Sequence, residues 1–393
     1  MSAWSLDLNP GIRNSSEQWR IDMSAVKAVV MEKTGNAIGL AVREFPEPEL
    51  EPGAVLLRTF YSEVCGTDVH LLKGQLAGVP YPIIPGHINV GAIEKMGGDV
   101  SDLDGNPFKA GDEVVFLDVH ETCHSCWYCL VAKASTRCPN RKVYGVTYSA
   151  EEGLLGGWSE KIYLKPGVKI LRLPDGLPAK DFIAGGCGAP TALHAVERAG
   201  IGLNDSVVVQ GCGPVGLFAA VFAMLSGAGQ VVVVDPSSVR LAVAENIGVD
   251  HTIAATSAEG RIEAVTDLTA GRGADVTIEA SGNPKAVPEG LAMTRDNGTY
   301  CVVGQYTDAG DVDINPHLQI NKKHVDIRGT WGIDYSHFYK CVQLMAKHRR
   351  RFNWHRMISR FYPLEDVASA IEDVENLKVF KAVIAPGGEQ KSQ

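Results

Sequence analysis

One stretch, Gln210-Gly211-Cys212-Gly213-Pro214-Val215-Gly216, restricts what this chain can fold into more than any other. Residues 206–209 precede it, rich in valine as a buried strand requires. Residues 217–225 follow as an unbroken apolar run of helical length. A second valine-rich strand, 231–234, then ends in Asp235. Strand, tight turn, helix, strand and terminal acid are the opening of a doubly wound parallel sheet. Gly211 permits the turn, Gly213 lets backbone approach a pyrophosphate, and Gly216 lets the helix lie close on the strand. Pro214 and Val215 begin the helix, whose free N–H groups and positive dipole end suit phosphates. Asp235, 19 residues beyond Gly216, stands where an acid would accept ribose hydroxyls. A glycine-rich turn in an ordinary βαβ unit would leave that acid unexplained. The stretch therefore reads as a dinucleotide site.

The alternation of strand and helix continues beyond the glycine turn. Residues 276–279 and 299–303 read as further buried parallel strands, and 192–199, 239–247 and 285–293 as helices between them. Upstream the pattern is different. Residues 27–31, 54–62, 90–96 and 113–119 are short, β-branched and separated by Pro and Gly clusters, which predicts a small β-rich barrel. After about residue 329 the rhythm breaks again: 336–348 and 364–375 read as helices and 381–385 as a closing strand. This gives a β-rich domain at 24–189, a nucleotide domain at 190–330, a return to the first domain at 331–387, and an N-terminal extension at 1–23. A net charge of −9 argues against nucleic acid or an anionic membrane as partner. No apolar run approaches the ~20 residues of a spanning helix, and the first 23 residues lack an export signal, so a cytoplasmic location is expected.

Nine cysteines are unevenly spread. Cys123, Cys126, Cys129 and Cys138 lie within 16 residues, the spacing of a closed tetrahedral zinc site. His124 falls inside the cluster but breaks its spacing. Three other candidates are dispersed: Cys65 in Cys65-Gly66-Thr67-Asp68-Val69-His70, His87 after Gly86, and Cys187 between Gly186 and Gly188. Together they would make a Cys2His site with an open fourth position. Spacing alone does not join them, because each taken singly reads more readily as a core cysteine or a satisfied histidine.

Taken in order, these motifs resemble the zinc-dependent alcohol dehydrogenases of the medium-chain dehydrogenase/reductase family. The resemblance runs over residues 24–387 and rests on the Cys65–His70 segment, Gly86-His87, Gly111-Asp112-Glu113-Val114, the four-cysteine lobe, Gly186-Cys187-Gly188, and the glycine turn with Asp235. It implies an α/β protein in which a GroES-like catalytic domain is interrupted by a Rossmann domain, with the active site between them. It implies two zinc ions per chain, catalytic on Cys65, His87 and Cys187, structural on Cys123, Cys126, Cys129 and Cys138. Thr67 matches the hydroxyl that touches the reacting oxygen, His70 the histidine that carries the proton out, and Asp68 the acid that orients the ligand histidine. Thr191, Val303 and Gly304 match positions that hold the nicotinamide, Arg240 one beside the adenosine, and Lys381 is expected near the cofactor phosphates. Asp235 favours NAD over NADP.

The resemblance implies hydride transfer from a primary or secondary alcohol, reversibly giving aldehyde or ketone. A hydrophobic or cyclic alcohol is favoured, with Leu76, Val119 and Trp331 as pocket walls or, equally, as core packing. An NAD(P)H-dependent carbonyl or alkene reductase of the same fold is the alternative. A homodimer or homotetramer is expected from the family. Two departures stand out. Ile88 occupies the place where the family usually has glutamate after the ligand histidine, so ligand exchange there must proceed differently or with help from another group. Gly66 sits where some relatives carry an arginine for the cofactor phosphate.

Overall fold

The computed structural model describes residues 25–389; the N-terminal extension expected at 1–23 lies outside the described residues. The chain opens with a hairpin, β1 (Ala25–Thr34) and β2 (Ala37–Pro46). Its two-residue turn is made possible by Gly35 at φ +63. Next come β3 (Val55–Val64), α1 (Gly66–Leu72), β4 (Asn89–Met96), β5 (Glu113–Phe116) and β6 (Val119–Glu121). A short lobe holds α2 (Trp127–Leu130) and β7 (Lys142–Val143), followed by β8 (Lys161–Leu164), β9 (Ile170–Arg172) and α3 (Ala179–Gly185).

Alternation then sets in with α4 (Gly188–Ala199), β10 (Ser206–Gln210), α5 (Pro214–Leu225), β11 (Gln230–Val234), α6 (Ser238–Ile247) and β12 (His251–Ile253). It continues through α7 (Ala258–Leu268), β13 (Ala274–Glu279), α8 (Ala286–Met293), β14 (Thr294–Val302) and β15 (Asp326–Gly329). The chain finishes with α9 (Tyr335–Phe352), β16 (Arg360–Tyr362), α10 (Val367–Glu375) and β17 (Ala382–Ile384).

Two sheets organise the molecule. One is all parallel, in the order β12-β11-β10-β13-β14-β15. Numbered from β10, that is the 3-2-1-4-5-6 order of a Rossmann fold. Its central strands are buried on both faces, as the valine runs require. Val207, Val209, Val231 and Val233 join one core, while Val208, Val232 and Val234 join another. The other sheet runs β16-β17-β3-β4-β5-β9, with β8 also on β3. Strand β17 pairs antiparallel with β3, setting Val383 opposite Glu63, so the end of the chain completes a sheet built near its beginning.

The apolar helix α5 is buried from Gly216 to Ala223 because the sheet covers one side and α4 and the tail cover the rest. Trp354, after α9, stacks on Phe218 at 5.6 Å. Some expected elements differ in detail. The stretch 364–375 is a 3-10 turn, Leu364–Asp366, followed by α10. Residues 65–70, singled out only for their chemistry, fold as α1. Its capping box is closed by the Cys65 sulfur accepting from the Thr67 N–H and the Asp68 carboxylate accepting from the Cys65 N–H.

Candidate active site

The dispersed residues Cys65, His87 and Cys187 meet. Cys65 caps α1 at the end of β3, Cys187 caps α4, and His87 follows a turn at Gly86. Only glycine fits at 86: its φ is +84, and a Cβ there would come within 2.5 Å of the Ser62 hydroxyl. One donor atom from each of the three lies within 4.8 Å of the others, and the Cys65 sulfur is 4.0 Å from Nε2 of His87. A hydrogen bond from Cys187 holds the Cys65 thiol well below its usual range. Burial works against a charge on His87, but the Cys65 thiolate beside it prevails and raises that imidazole to about 10. Two thiols and an imidazole so close together, with Cys65 and His87 buried and Cys187 half-buried, form a donor set for zinc. Nearby, Nδ1 of His87, Oδ1 of Asp68 and Oδ1 of Asp118 are buried without hydrogen-bond partners, a sign that the centre is built to hold something more.

The four cysteines of the lobe also converge. Their sulfurs lie within 4.8 Å of one another, with Cys126 to Cys129 at 3.6 Å and Cys138 to Cys123 at 3.5 Å. Four sulfurs each ~2.3 Å from a shared tetrahedral centre would be roughly 3.8 Å apart, so this set fits zinc with little adjustment. His124 bonds Thr122 at 3.2 Å and is not among the converging donors.

The glycine turn sits at the C-terminal edge of the parallel sheet. Gly211 has φ +93, and a Cβ on Gly216 would stand 1.8 Å from the Gly211 carbonyl oxygen. Asp235 is 4% exposed at the end of β11 and accepts from the Cys212 N–H at 2.7 Å and the Ser237 N–H at 2.8 Å. Arg240 lies 3.9 Å from that carboxylate. Val303 and Gly304 leave the next strand end, both N–H groups donating to the Glu279 carbonyl at 2.9 Å. Thr191 is on the first turn of α4, bonded to the Cys187 carbonyl. The two centres touch through that helix. A Cβ on Gly188 would be 2.9 Å from Pro214 and 3.1 Å from the Val215 nitrogen, so the start of α4, with its metal-ligand candidate, rests on the start of α5, whose free N–H groups could take phosphates.

Known proteins resemble this chain over most of its length. Residues 51–175 match the family described as alcohol dehydrogenase GroES-like domain, and 214–347 the one described as zinc-binding dehydrogenase. The chain is 34% identical to the 5-exo-hydroxycamphor dehydrogenase of Pseudomonas putida, over 87% of this chain and 94% of that one. It belongs to the zinc-dependent alcohol dehydrogenases of the medium-chain family. An L-threonine 3-dehydrogenase of Bacillus velezensis is 31% identical over 92% of this chain and 99% of its own. Among solved structures, an alcohol dehydrogenase from Thermotoga maritima superposes with a TM-score of 0.86 at 34% identity, covering 92% of this chain and 99% of that one. Membership makes this chain an oxidoreductase of alcohols that uses zinc and a nicotinamide cofactor. Among the described residues no helix is long and apolar enough to cross a membrane.

As a medium-chain dehydrogenase, the chain departs from several residue roles that the resemblance implied. Lys381 does not serve the cofactor phosphates. It is 1% exposed and its ammonium is held by Glu63, so no cofactor can reach it. Asp68 bonds the Cys65 backbone at 2.9 Å rather than the His87 ring, and burial followed by the Cys65 charge pushes its carboxyl well above the usual range. Leu76 packs against the core formed by Val29, Leu71 and Tyr362, and Val119 is buried in the main core.

Trp331 stacks on Tyr306 at 5.7 Å, under Arg137 of the cysteine lobe, whose guanidinium donates to the Trp331 carbonyl at 2.8 Å. Tyr306 in turn stands 6.2 Å from the His70 ring. Burial pushes its phenol up to about 12, opposed by the Thr67 hydroxyl beside it. Tyr306, Asp118 and Glu63 carried no sequence signal: none stands in a recognisable motif, although Glu63 is only two residues before Cys65.

Proposed function

We propose that this chain is an NAD-dependent dehydrogenase of primary or secondary alcohols, with hydrophobic or cyclic alcohols as its class and two zinc ions per chain. The observation that carries the reading is the contact of α4 on α5, which brings a Cys2His donor set beside a dinucleotide turn. Cys65, His87 and Cys187 would hold the catalytic zinc, and Cys123, Cys126, Cys129 and Cys138 the structural one. When bound, the zinc supplies Lewis acidity toward the substrate oxygen and the nicotinamide accepts hydride.

The chain's own groups do the rest. Thr67 receives the substrate's proton and directs it toward the cofactor ribose. His70, partly exposed and bonded to Gln75 at 2.6 Å, releases it to solvent. Thr191, Val303 and Gly304 hold the nicotinamide end; Gly211, Gly213, Pro214, Val215 and Gly216 carry the phosphates. Asp235 accepts the ribose hydroxyls and repels a 2′-phosphate. The Tyr306–Trp331 stack gives the substrate an apolar wall, in keeping with a relative named for hydroxycamphor. We also infer a homo-oligomer joined at the edge strand β15, where Ile327 is 45% exposed.

Arg240 supports a second reading, a carbonyl reductase using NADPH, since its guanidinium lies close to Gly213 as well as Asp235. A screen of nicotinamide reduction over aliphatic, aromatic, terpenoid and polyol alcohols with both cofactors separates the two. Turnover of cyclic alcohols with NAD is expected. Turnover confined to polyols, or to NADP, would overturn the proposal.

A further inference from the structure

The buried acid behind the Cys2His set is Glu63. It lies on β3, two residues before Cys65, and it and Lys381 are each 1% exposed. Its Oε2 accepts from the Cys187 N–H at 2.6 Å, and its Oε1 holds the Lys381 ammonium. Trp158 donates to its carbonyl at 3.1 Å, and its own N–H donates to the carbonyl of Ile88. The carboxylate is therefore fixed from both ends. Gly186, immediately before Cys187, is shaped around it: the φ there is +51, and a Cβ would fall 2.3 Å from the carboxylate. Lys381 arrives with β17, whose Val383 is paired with Glu63, so the tail strand delivers the cation to the acid.

A buried ion pair is costly unless its geometry is good and its remaining lone pairs are used. Here one lone pair is spent on the backbone of a metal-ligand candidate. The charges also balance: two thiolates and one carboxylate face one ammonium and one divalent ion. Ile88, 1% exposed beside the ligand histidine, can supply no carboxylate, and Glu63 faces it across the strand pairing of β3.

We propose that the Glu63–Lys381 pair is the positioning device of the Cys2His metal site, with Glu63 holding Cys187 in ligating position and Lys381 offsetting the negative charge of the donor set. Neither residue touches substrate. The inference rests on the reading of Cys65, His87 and Cys187 as metal ligands. Glutamine at 63 cannot replace glutamate, because its single acceptor oxygen cannot serve both the Cys187 N–H and the ammonium. If its oxygen faces Lys381, its NH2 group faces another donor. Removing the cation as well frees that oxygen for Cys187.

The test is the rate of zinc release to a chromophoric chelator, read on the zinc-loaded full chain without substrate. Release from the native protein should be biphasic, with one phase from each cysteine set, assigned with Cys187→Ala. Glu63→Gln should speed the phase of the Cys2His site about tenfold or more, the usual effect of losing a partner behind a ligand, and leave the lobe's phase unchanged. Glu63→Gln with Lys381→Met should slow it back toward the native rate; this neutral pair also serves if the single variant does not fold. The d–d band of cobalt at the Cys2His site should shift in Glu63→Gln and return in the double variant. A release rate within about twofold of native, or a double variant no slower than the single one, overturns the proposal. A native protein lacking the Cys187-dependent phase would instead overturn the metal site on which it rests.

Discussion

Replacing Gly216 by alanine probes the joint between strand, glycine turn and helix. The added Cβ would sit 1.8 Å from the Gly211 carbonyl oxygen, where ordinary contact begins at 3.4 Å. The start of α5 must therefore retreat by about 1.6 Å. It has little room to do so, since every residue from Gly216 to Ala223 is buried and Pro214 lies so near Gly188 that a Cβ there would be 2.9 Å from it. Overpacking of this kind costs about 1–3 kcal/mol. The same movement draws the helix N–H groups away from the pyrophosphate, and losing one charge-assisted contact of ~1.4 kcal/mol weakens binding about tenfold. Thermal melting without cofactor and fluorescence titration with NADH read the two effects separately. Gly66→Ala is the control, because no atom lies within 4 Å of its Cβ position. If Gly216→Ala melts with Gly66→Ala and binds NADH as the native protein does, the tight-joint argument is refuted.

Three further outcomes follow from the site and the surface. Thr67→Val, which keeps the shape and removes the hydroxyl, should lower kcat about 10²-fold and leave zinc content unchanged, as steady-state kinetics and metal analysis would show. Trp331→Ala removes the ring between Tyr306 and Arg137, so KM for a bulky cyclic alcohol should rise several-fold while kcat holds; an unchanged KM would take Trp331 out of the pocket. Glu47 tests the surface electrostatics. Hydrogen bonds from Lys161 at 2.5 Å and from Lys95 lower its carboxyl from 4.5 to about 2. A depressed carboxylate stabilises the fold above its unfolded pKa and ceases to as pH falls through the folded one. Native protein should therefore exceed Glu47→Gln in stability at neutral pH by on the order of 1 kcal/mol after solvent screening. That difference should shrink between about pH 4.5 and 2 in acid denaturation.

The sequence made some of this legible because the determinants are local. Valine runs on β10 and β11, three glycines at fixed spacing and four cysteines within 16 residues each specify their structure within one turn or loop. The Cys2His set was legible only through resemblance, since Cys65 and Cys187 are joined by sheet closure and not by spacing. Lys381 was misjudged for the same reason. Its partner Glu63 is 318 positions away, and nothing near either residue announces that β17 will pair with β3. Tyr306 lies in the loop after β14, a segment without periodicity, and acquires its meaning only by stacking on Trp331. Asp68 showed how one residue type can serve two ends: an acid three residues after Cys65 reads as an orienting group and is used as a helix cap.

Metal content per chain, measured by plasma emission alongside alcohol oxidation, bears on all of this at once. The native protein should carry two zinc ions, one for each converging donor set. Cys187→Ala should keep one, stay folded and lose alcohol oxidation. A Cys187→Ala protein that retains as much zinc as the native chain, or that still oxidises alcohols at the native rate, would contradict the placement of the reaction at Cys65, His87 and Cys187.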